Sequence, residues 1–227
     1  MVRLHVLAEG QTEETFVNRV LKPHLALRAV YVDVRCICTR KMRSRQAAGG
    51  IVPYDLFKND LDRWIAEDSN VDSWFTTMID LFRLPATFPG HDPDAGLSDL
   101  FRRVEKIETD MGTDQEYQRF VPYIQLHEFE TLLFVDPQQL DWEFLEHVTQ
   151  IAELVRLSGE FETPEHINDN PTTAPSRRIV ERIPEYAGRK ASAGPSVAEK
   201  IGLDKLRASC RHFGEWLSRL ETLDEAE

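Results

Sequence analysis

LHVLAEGQTEETF, residues 4–16, is the stretch that decides the fold of this chain. Val2 to Ala8 alternates apolar and polar residues and then becomes wholly apolar, which predicts a β-strand. Thr12 is a suitable N-cap for a helix that we expect to run to about Arg28. The stretch therefore predicts a strand that passes directly into a helix, with several acids at the junction.

The same patterns continue along the chain. We predict strands at 30–39, at 73–82 (ending near Asp80) and at 120–126, and helices at 55–67, 97–108, 128–134, 142–158, 176–183, 196–201 and 203–221. Strands that alternate with helices predict an α/β fold with a mostly parallel sheet and helices on both faces. We expect one compact unit, in which residues 1–135 form the α/β core and residues 136–227 form a helical extension packed on it.

The net charge of −12, from 27 Lys and Arg against 39 Asp and Glu, argues against indiscriminate binding to a phosphate backbone. Two segments are locally basic, however. Residues 34–54 contain five basic residues and no acid, and residues 177–190 contain five basic residues and two acids. By contrast, residues 128–165 carry ten acids and one base. The basic segments are either binding surfaces or simply solvated loops.

Hydrophobicity and cysteine content indicate in which cellular compartment the protein is expected. No run of 18 apolar residues and no secretory signal is visible, so we expect no membrane span and a cytoplasmic location. Three cysteines, Cys36, Cys38 and Cys210, are too few for a disulfide scaffold and fit a reduced compartment. Cys36 and Cys38 have no second pair nearby, so a zinc site is not expected.

Acids collect where the predicted strands end. Glu9 ends the first strand, where Gly10 would let the backbone turn tightly, and Glu13 lies one helical turn further on. Asp80 ends the third strand, and the fourth is followed by His127, Glu128 and Glu130. In an open parallel sheet the carboxyl ends of the strands form the ligand site. Like charges gathered there need a cation or raised pKa values, and all-oxygen ligands suit Mg²⁺ or Mn²⁺.

Each of these residues also has a structural interpretation. Glu13 could complement the helix dipole, and Asp80 could cap a loop. Two residues apart on a helix, Glu128 and Glu130 would not point the same way, so one of them is expected to be structural. His127 is expected to be a hydrogen-bonded pocket residue rather than a ligand.

The stretch NDNPTTAPSRR is the second candidate site. Asn168 and Asp169 lie in a polar, proline-bounded loop that predicts an ordered turn. Ser176 is a suitable N-cap for the next helix, whose first turn carries Arg177 and Arg178. A helix N-terminus with nearby arginines can receive a phosphate, and Lys190 could add a further charge. The alternative is a capped surface helix.

A resemblance adds to these patterns. AEGQTEETFV resembles the opening of TOPRIM-type domains, in which a strand-end Glu acts with downstream Asp residues on Mg²⁺. The blocks MIDLFRLP, PYIQLHEFETLLF, INDNPTTAPSRRI, IGLDKLR and CRHFGEWL resemble, in order, the bacterial domain-of-unknown-function family 4276, whose N-terminal half is TOPRIM-like. The resemblance runs from about residue 3 to 217.

The resemblance implies roles for individual residues. Glu9 matches the first TOPRIM glutamate, Glu13 the second acid of that motif, and Asp80 the first Asp of a motif that is usually Asp-x-Asp. Position 82 is Phe here, so Glu128 or Glu130 would have to replace the missing acid. Independently of the resemblance, a nuclease interpretation makes Glu9 and Lys190 the catalytic residues, and Lys190 with Arg177 would hold or neutralise the scissile phosphate.

Two functions therefore follow as expectations. The first is a Mg²⁺- or Mn²⁺-dependent phosphodiesterase or nuclease that acts on nucleic acid, in keeping with relatives that resemble components of bacterial defence or mobile-element cassettes. The second is a non-catalytic module that binds a nucleotide or nucleic acid and partners an ATPase encoded nearby. The acidic surface suits a protein partner better than bare DNA.

Overall fold

The computed structural model describes residues 1–37, 52–92, 99–167 and 172–223. Its sheet contains β1 (Val2–Ala8), β2 (Val30–Cys36), β3 (Ser73–Asp80) and the short strands β4 (Phe120–Val121) and β5 (Ile124–Gln125). The strand order is β2-β1-β3-β4, β5 also pairs with β3, and every pairing is parallel. The predicted mostly parallel sheet is confirmed.

The helices of the described residues follow the strands in alternation and then dominate the C-terminal half. They are α1 (Gln11–Phe16), α2 (Lys22–Ala26), α3 (Tyr54–Glu67), α4 (Leu100–Gln115), α5 (Val148–Ser158), α6 (Pro175–Arg182), α7 (Lys190–Ile201), α8 (Leu203–Ser209) and α9 (Arg211–Glu221). A π-helical segment, Val17–Leu21, joins α1 to α2, and 3₁₀ segments cover Phe129–Val135, Pro137–Trp142, Pro164–His166 and Pro184–Gly188. The helical C-terminal region is also as predicted.

The strands and helices build two apolar layers, one on each face of the sheet. Strand β3 is buried along its length except at Asp80, as a strand covered on both faces must be. One layer packs α3 and α4 against the sheet, through residues such as Phe57, Leu61 and Ile107. The other joins the α1–α2 region to the C-terminal helices. Helices therefore cover both faces of the sheet.

Several predicted boundaries are corrected by the structure. The first helix begins after Gly10, not Thr12, and its turn widens between Val17 and Lys22, where the Lys22 N–H bonds to the Val17 carbonyl. The next residue, Pro23, has no N–H to continue the α-helical ladder. The strand predicted at 120–126 is two short strands, separated where Pro122 cannot donate a ladder hydrogen bond.

The C-terminal predictions are corrected in the same way. The 196–201 helix begins earlier, at Lys190, and the 203–221 helix is two helices that meet at Cys210. The break at Cys210 is stabilised by Glu165, whose carboxylate accepts the N–H groups of His212 at 3.0 Å and Phe213 at 3.2 Å. These are N–H groups of the first turn of α9, which would otherwise lack partners.

The two segments on either side of residue 135 share one apolar cluster. It contains Leu4 and Phe16 from the N-terminal segment and Ala198 and Leu217 from the C-terminal helices, all of them fully buried. The boundary itself stays a prediction. In the described part of the chain, no helix has the length and hydropathy needed to span a bilayer.

Candidate metal centre

The ends of β1 and β3 bring two acids together. Ala8 is in register with Met78, and the Glu9 N–H continues this pairing with a 3.0 Å hydrogen bond to the Met78 carbonyl. The Asp80 N–H then donates a 2.9 Å hydrogen bond to Glu9 Oε2. Glu9 and Asp80 therefore lie side by side at the carboxyl edge of the sheet.

The first turn of α1 adds a third acid. Glu13 is buried, and its Oε2 accepts the Gly10 N–H at 3.0 Å, so this carboxylate satisfies the N-cap amide. Gly10 has φ −157°, an extended conformation that any residue adopts. The chain bends at Glu9 and Gly10 without a left-handed conformation, so the bend does not require glycine, and Gly10 serves as the N-cap that was predicted for Thr12.

The segment after β5 brings two more acids. The Phe82 N–H bonds to the His127 carbonyl at 2.8 Å, which extends the pairing of β3 and β5 beyond their ends. His127 has φ 62°, a left-handed conformation that costs about 1–3 kcal/mol and that His tolerates better than most residues. Its side chain is buried, with Nε2 3.1 Å from the Glu165 carbonyl, as expected of a hydrogen-bonded pocket residue.

Glu128 and Glu130 both belong to this acidic group. Glu128 is the extended residue before the 3₁₀ segment, with φ −136°, and Glu130 lies in its first turn. The expectation that one of them points away assumed a continuous helix and does not apply. Both charges act on Glu9 and on Asp80.

These two acids are held by residues of the C-terminal region. Glu128 accepts the Ser176 N–H at 2.8 Å through Oε2 and the Ser176 hydroxyl at 3.0 Å through Oε1. Ser176 therefore does not act as the N-cap of α6, which is Ala174, and the Glu128 carboxylate caps the helix from outside. Glu130 Oε1 accepts the Tyr186 hydroxyl at 3.2 Å and lies 3.3 Å from Lys190 Nζ.

Burial and mutual repulsion perturb this group strongly. Burial raises the pKa of Glu9 from its usual 4.5 to about 7, and the charges of Glu128 and Glu130 add to the rise. Burial likewise raises the pKa of Glu13 to about 7. Burial, together with the other four carboxylates, raises the pKa of Asp80 well above its usual value. The group therefore favours a bound cation or retained protons.

The pKa of Glu128 is raised by burial and by Glu130, against the lowering effect of the Ser176 hydrogen bonds and Lys190. The Ser176 contacts thus favour the charged form of one member of the group. This is a direct electrostatic link between the carboxyl edge of the sheet and α6.

The carboxylate oxygens of the acidic group are the type of ligand that a hard divalent cation prefers. Asp80 Oδ1 is buried and makes no hydrogen bond in the described structure, and the charges of four other carboxylates act on the Asp80 side chain. Across the described residues, no group of three or more His, Cys, Asp or Glu side chains is already arranged to hold a metal ion. Mg²⁺ commonly uses one or two carboxylates, with water and substrate phosphates completing its shell.

The predicted phosphate-binding residues are distributed differently. Lys190 contacts the carboxylate group directly. Arg177 is exposed on α6 and pairs with Glu181 at 2.8 Å. Arg178 donates to the Thr173 carbonyl at 2.6 Å and lies over the Phe161 ring. Asn168 and Asp169, and most of the basic segment 34–54, lie outside the described residues.

A cleft of about 310 Å³ lies between the first turn of α1 and the start of α7. Its lining includes Gln11 and Glu14, and Arg189 and Ser192. These residues are close neighbours in sequence of Glu13 and Lys190. The five carboxylates of the acidic group are not among the residues that line the cleft.

Sequence patterns did not identify the roles of Ser176 and Tyr186. The sequence predicts Ser176 only as a helix cap, and nothing around Tyr186 distinguishes it from a core tyrosine. Their partners lie 48 and 56 residues away in the chain. One signal was available for Ser176, because a serine directly after a helix-starting proline can present its N–H and hydroxyl together.

Comparisons with known proteins now place the chain in a family. The sequence profile described as domain of unknown function (DUF4276) matches residues 8–221, so the chain belongs to this family. The resemblance inferred from the sequence blocks is confirmed. Its TOPRIM-like character stays a prediction.

Other comparisons contribute little. No curated protein matches the chain. A solved structure described as the C-terminal region of the Xanthomonas campestris pv. campestris OLD protein aligns with 100% of this chain and 99% of its own. The sequence identity is 16% and the TM-score is 0.37, too low to carry an argument.

Proposed function

We propose that this protein is a Mg²⁺- or Mn²⁺-dependent phosphodiesterase that cleaves nucleic acid at a TOPRIM-like centre. The observation that carries the proposal is the buried, unpartnered Asp80 Oδ1 among four other carboxylates at the carboxyl edge of a parallel sheet. So much buried negative charge is tolerated in a fold only with protons or cations.

Glu9, Glu13 and Asp80 would hold the metal ion. Glu128 or Glu130 would replace the acid that is absent at position 82. The backbone bond from Phe82 to the His127 carbonyl supports this substitution, because it joins position 82 directly to the residue before Glu128. When bound, the metal ion would supply Lewis-acid stabilisation of phosphate oxygens and a more acidic bound water.

Lys190 would neutralise the scissile phosphate. Its ammonium is already at the edge of the carboxylate group, 3.3 Å from Glu130 Oε1, and its side chain is partly exposed. Arg177, exposed on the neighbouring helix, could contact the flanking backbone. The net charge of −12 counts against binding of bare nucleic acid, and local neutralisation of the acidic group would reduce that penalty.

A second candidate function is a binding module that performs no chemistry on its own and works with an ATPase. It is favoured by one observation. The described carboxylates do not already form a group of three that could hold a metal ion. A partner or a substrate would then be needed to complete the site. A role in bacterial defence is compatible with either candidate.

The decisive test is cleavage. Purified protein is incubated with plasmid, single-stranded DNA and RNA in Mn²⁺, Mg²⁺ or EDTA, beside a Glu9→Ala, Asp80→Ala double variant. We expect metal-dependent cleavage that the double variant lacks. An Asp114→Ala variant, which removes an acid paired with Lys58 elsewhere, serves as the control and should keep the activity. Metal binding without cleavage would favour the binding module, and equal cleavage by the double variant would refute the proposed centre.

A further inference from the structure

One oxygen of Glu130 is shared by two donors with different freedom to move. The Tyr186 hydroxyl lies 3.2 Å from Glu130 Oε1, and Lys190 Nζ lies 3.3 Å from the same atom. Tyr186 is fully buried, whereas 38% of the Lys190 side chain is exposed. Lysine carries its charge on a flexible stem of four carbons, so Lys190 can leave Glu130 far more easily than Tyr186 can.

The packing around Tyr186 fixes its hydroxyl in place. The ring lies in the 3₁₀ segment before α7 and packs near Phe144. On α7, a methyl group added to Gly194 would lie 3.0 Å from the Tyr186 hydroxyl and 3.2 Å from the Phe129 ring. Gly194 therefore allows the hydroxyl to approach the helix closely. Burial also raises the pKa of Tyr186 well above its usual value, so the hydroxyl remains a donor.

We propose that Tyr186 is a positioning residue, whose hydroxyl holds the Glu130 carboxylate when Lys190 transfers from Glu130 to a phosphate group of the nucleic acid. The inference rests on the function proposed above and adds a residue that the sequence did not suggest. Without Tyr186, Lys190 is the donor that must stay with the buried Glu130. Its release to a phosphate would then leave a buried carboxylate without this stabilisation, which is costly.

The chain contains a matched control. Asp114 Oδ2 also accepts from a tyrosine and a lysine, with Tyr54 Oη at 2.9 Å and Lys58 Nζ at 2.6 Å. This trio joins α3 to α4, and 44% of the Asp114 side chain is exposed. Tyr54→Phe removes the same kind of hydrogen bond as Tyr186→Phe, but at a carboxylate that belongs to no proposed site.

The experiment compares wild type, Tyr186→Phe and Tyr54→Phe in two measurements. Calorimetry measures the affinity for Mn²⁺ alone. Fluorescence anisotropy measures the affinity for a labelled single-stranded DNA in the presence of Ca²⁺. This cation replaces the proposed catalytic metal, so that binding is measured without it. We expect Tyr186→Phe to bind the DNA about tenfold more weakly, with Mn²⁺ affinity within about threefold of wild type, because the carboxylates themselves are retained. Tyr54→Phe should match wild type in both measurements.

The outcomes separate this inference from the function on which it rests. If wild type binds neither Mn²⁺ nor DNA, both are overturned. If wild type binds both and Tyr186→Phe binds DNA equally well, only the role of Tyr186 is overturned. Should Tyr186→Phe fail to fold, Gly194→Ala displaces the hydroxyl without removing it and should weaken DNA binding in the same direction. DNA affinity unchanged in Gly194→Ala would then overturn the inference.

Discussion

The backbone N–H of Asp80 donates a 2.9 Å hydrogen bond to Glu9 Oε2, which ties the carboxyl end of β3 to that of β1. Because this bond uses the Asp80 backbone, substitution of the Asp80 side chain leaves the donor of the bond in place. The Asp80 carboxylate can therefore be altered with little disturbance to its neighbour, which makes it the cleanest place to test the site.

Asp80→Asn should stabilise the metal-free protein while it weakens metal binding. The substitution removes an acid whose charged form is disfavoured by burial and by the four neighbouring carboxylates. The folded chain then no longer bears the cost of keeping this acid protonated, and we expect a gain of about 0.5–2 kcal/mol in the free energy of unfolding. Urea denaturation in EDTA measures the gain, and calorimetry measures the loss of Mn²⁺ binding. The control Asp114→Asn weakens contacts with Lys58 and Tyr54 and should give no gain. If Asp80→Asn is less stable than wild type in EDTA, the carboxylates do not destabilise the metal-free fold as we expect.

Metal-free protein should lose stability as the pH rises from about 4.5 to about 7. Glu9 and Glu13 have a folded-state pKa of about 7 against a usual 4.5, so in this window the folded chain holds more protons than the unfolded chain. The free energy of unfolding therefore falls as pH increases, by up to about 3 kcal/mol for each group over the whole window. Urea denaturation across this pH range in EDTA measures the slope.

Glu13→Gln is the matched variant for this pH dependence. It keeps the size of the side chain and removes the titrating group, so its unfolding free energy should vary less with pH than that of wild type. A slope equal to the wild-type slope would show that Glu13 does not titrate in this range.

Ser176→Ala should destabilise the protein by about 1–2 kcal/mol, because it removes a buried hydroxyl that donates to the Glu128 carboxylate. Thermal unfolding measures the change. Ser192→Ala is the control, since Ser192 is exposed and donates only to the Arg189 carbonyl one turn earlier. Its effect should stay within about 0.5 kcal/mol. Equal effects of the two substitutions would argue against a special role for Ser176.

Substitution of Arg177 should weaken DNA binding, whereas substitution of Arg178 should lower the stability of the fold. Arg177 forms an exposed pair with Glu181, so Arg177→Ala should change stability by less than about 0.5 kcal/mol. If Arg177 contacts a phosphate, Arg177→Ala should lower the affinity for DNA. It should also reduce, by about 1, the slope of log affinity against log salt concentration. Arg178→Ala should destabilise by about 1 kcal/mol, because it removes a hydrogen bond to Thr173 and packing on Phe161. A salt slope unchanged in Arg177→Ala would remove Arg177 from the phosphate-binding residues.

Much of the sheet could be predicted from local patterns. Alternation at Val2–Ala8 and an apolar run at Ser73–Asp80 identified two strands that the structure confirms. The rule that ligands lie at the carboxyl ends of parallel strands drew attention to Glu9 and Asp80. Both strand predictions succeeded because burial on a sheet imposes a periodicity that is visible within a few residues. The role of Glu9 and Asp80 in a ligand site stays a prediction.

Element ends were harder to predict, because they depend on individual hydrogen bonds. The first helix begins directly after Gly10, where Glu13 reaches back to the Gly10 amide, and α9 begins directly after Cys210, where Glu165 accepts the first N–H groups. Glu165 is far in sequence from α9, so no local sequence pattern predicts its contact with that helix.

The sequence by itself determined the order of strands and helices, the parallel sheet and the collection of acids at its carboxyl edge. Only the tertiary structure decided how those acids are held. Glu128 depends on Ser176, and Glu130 depends on Tyr186 and Lys190, all from the C-terminal region. Periodicity records which face of an element is buried. Hydrogen bonds between residues about fifty positions apart depend on how whole helices pack, and that information exists only in the folded chain.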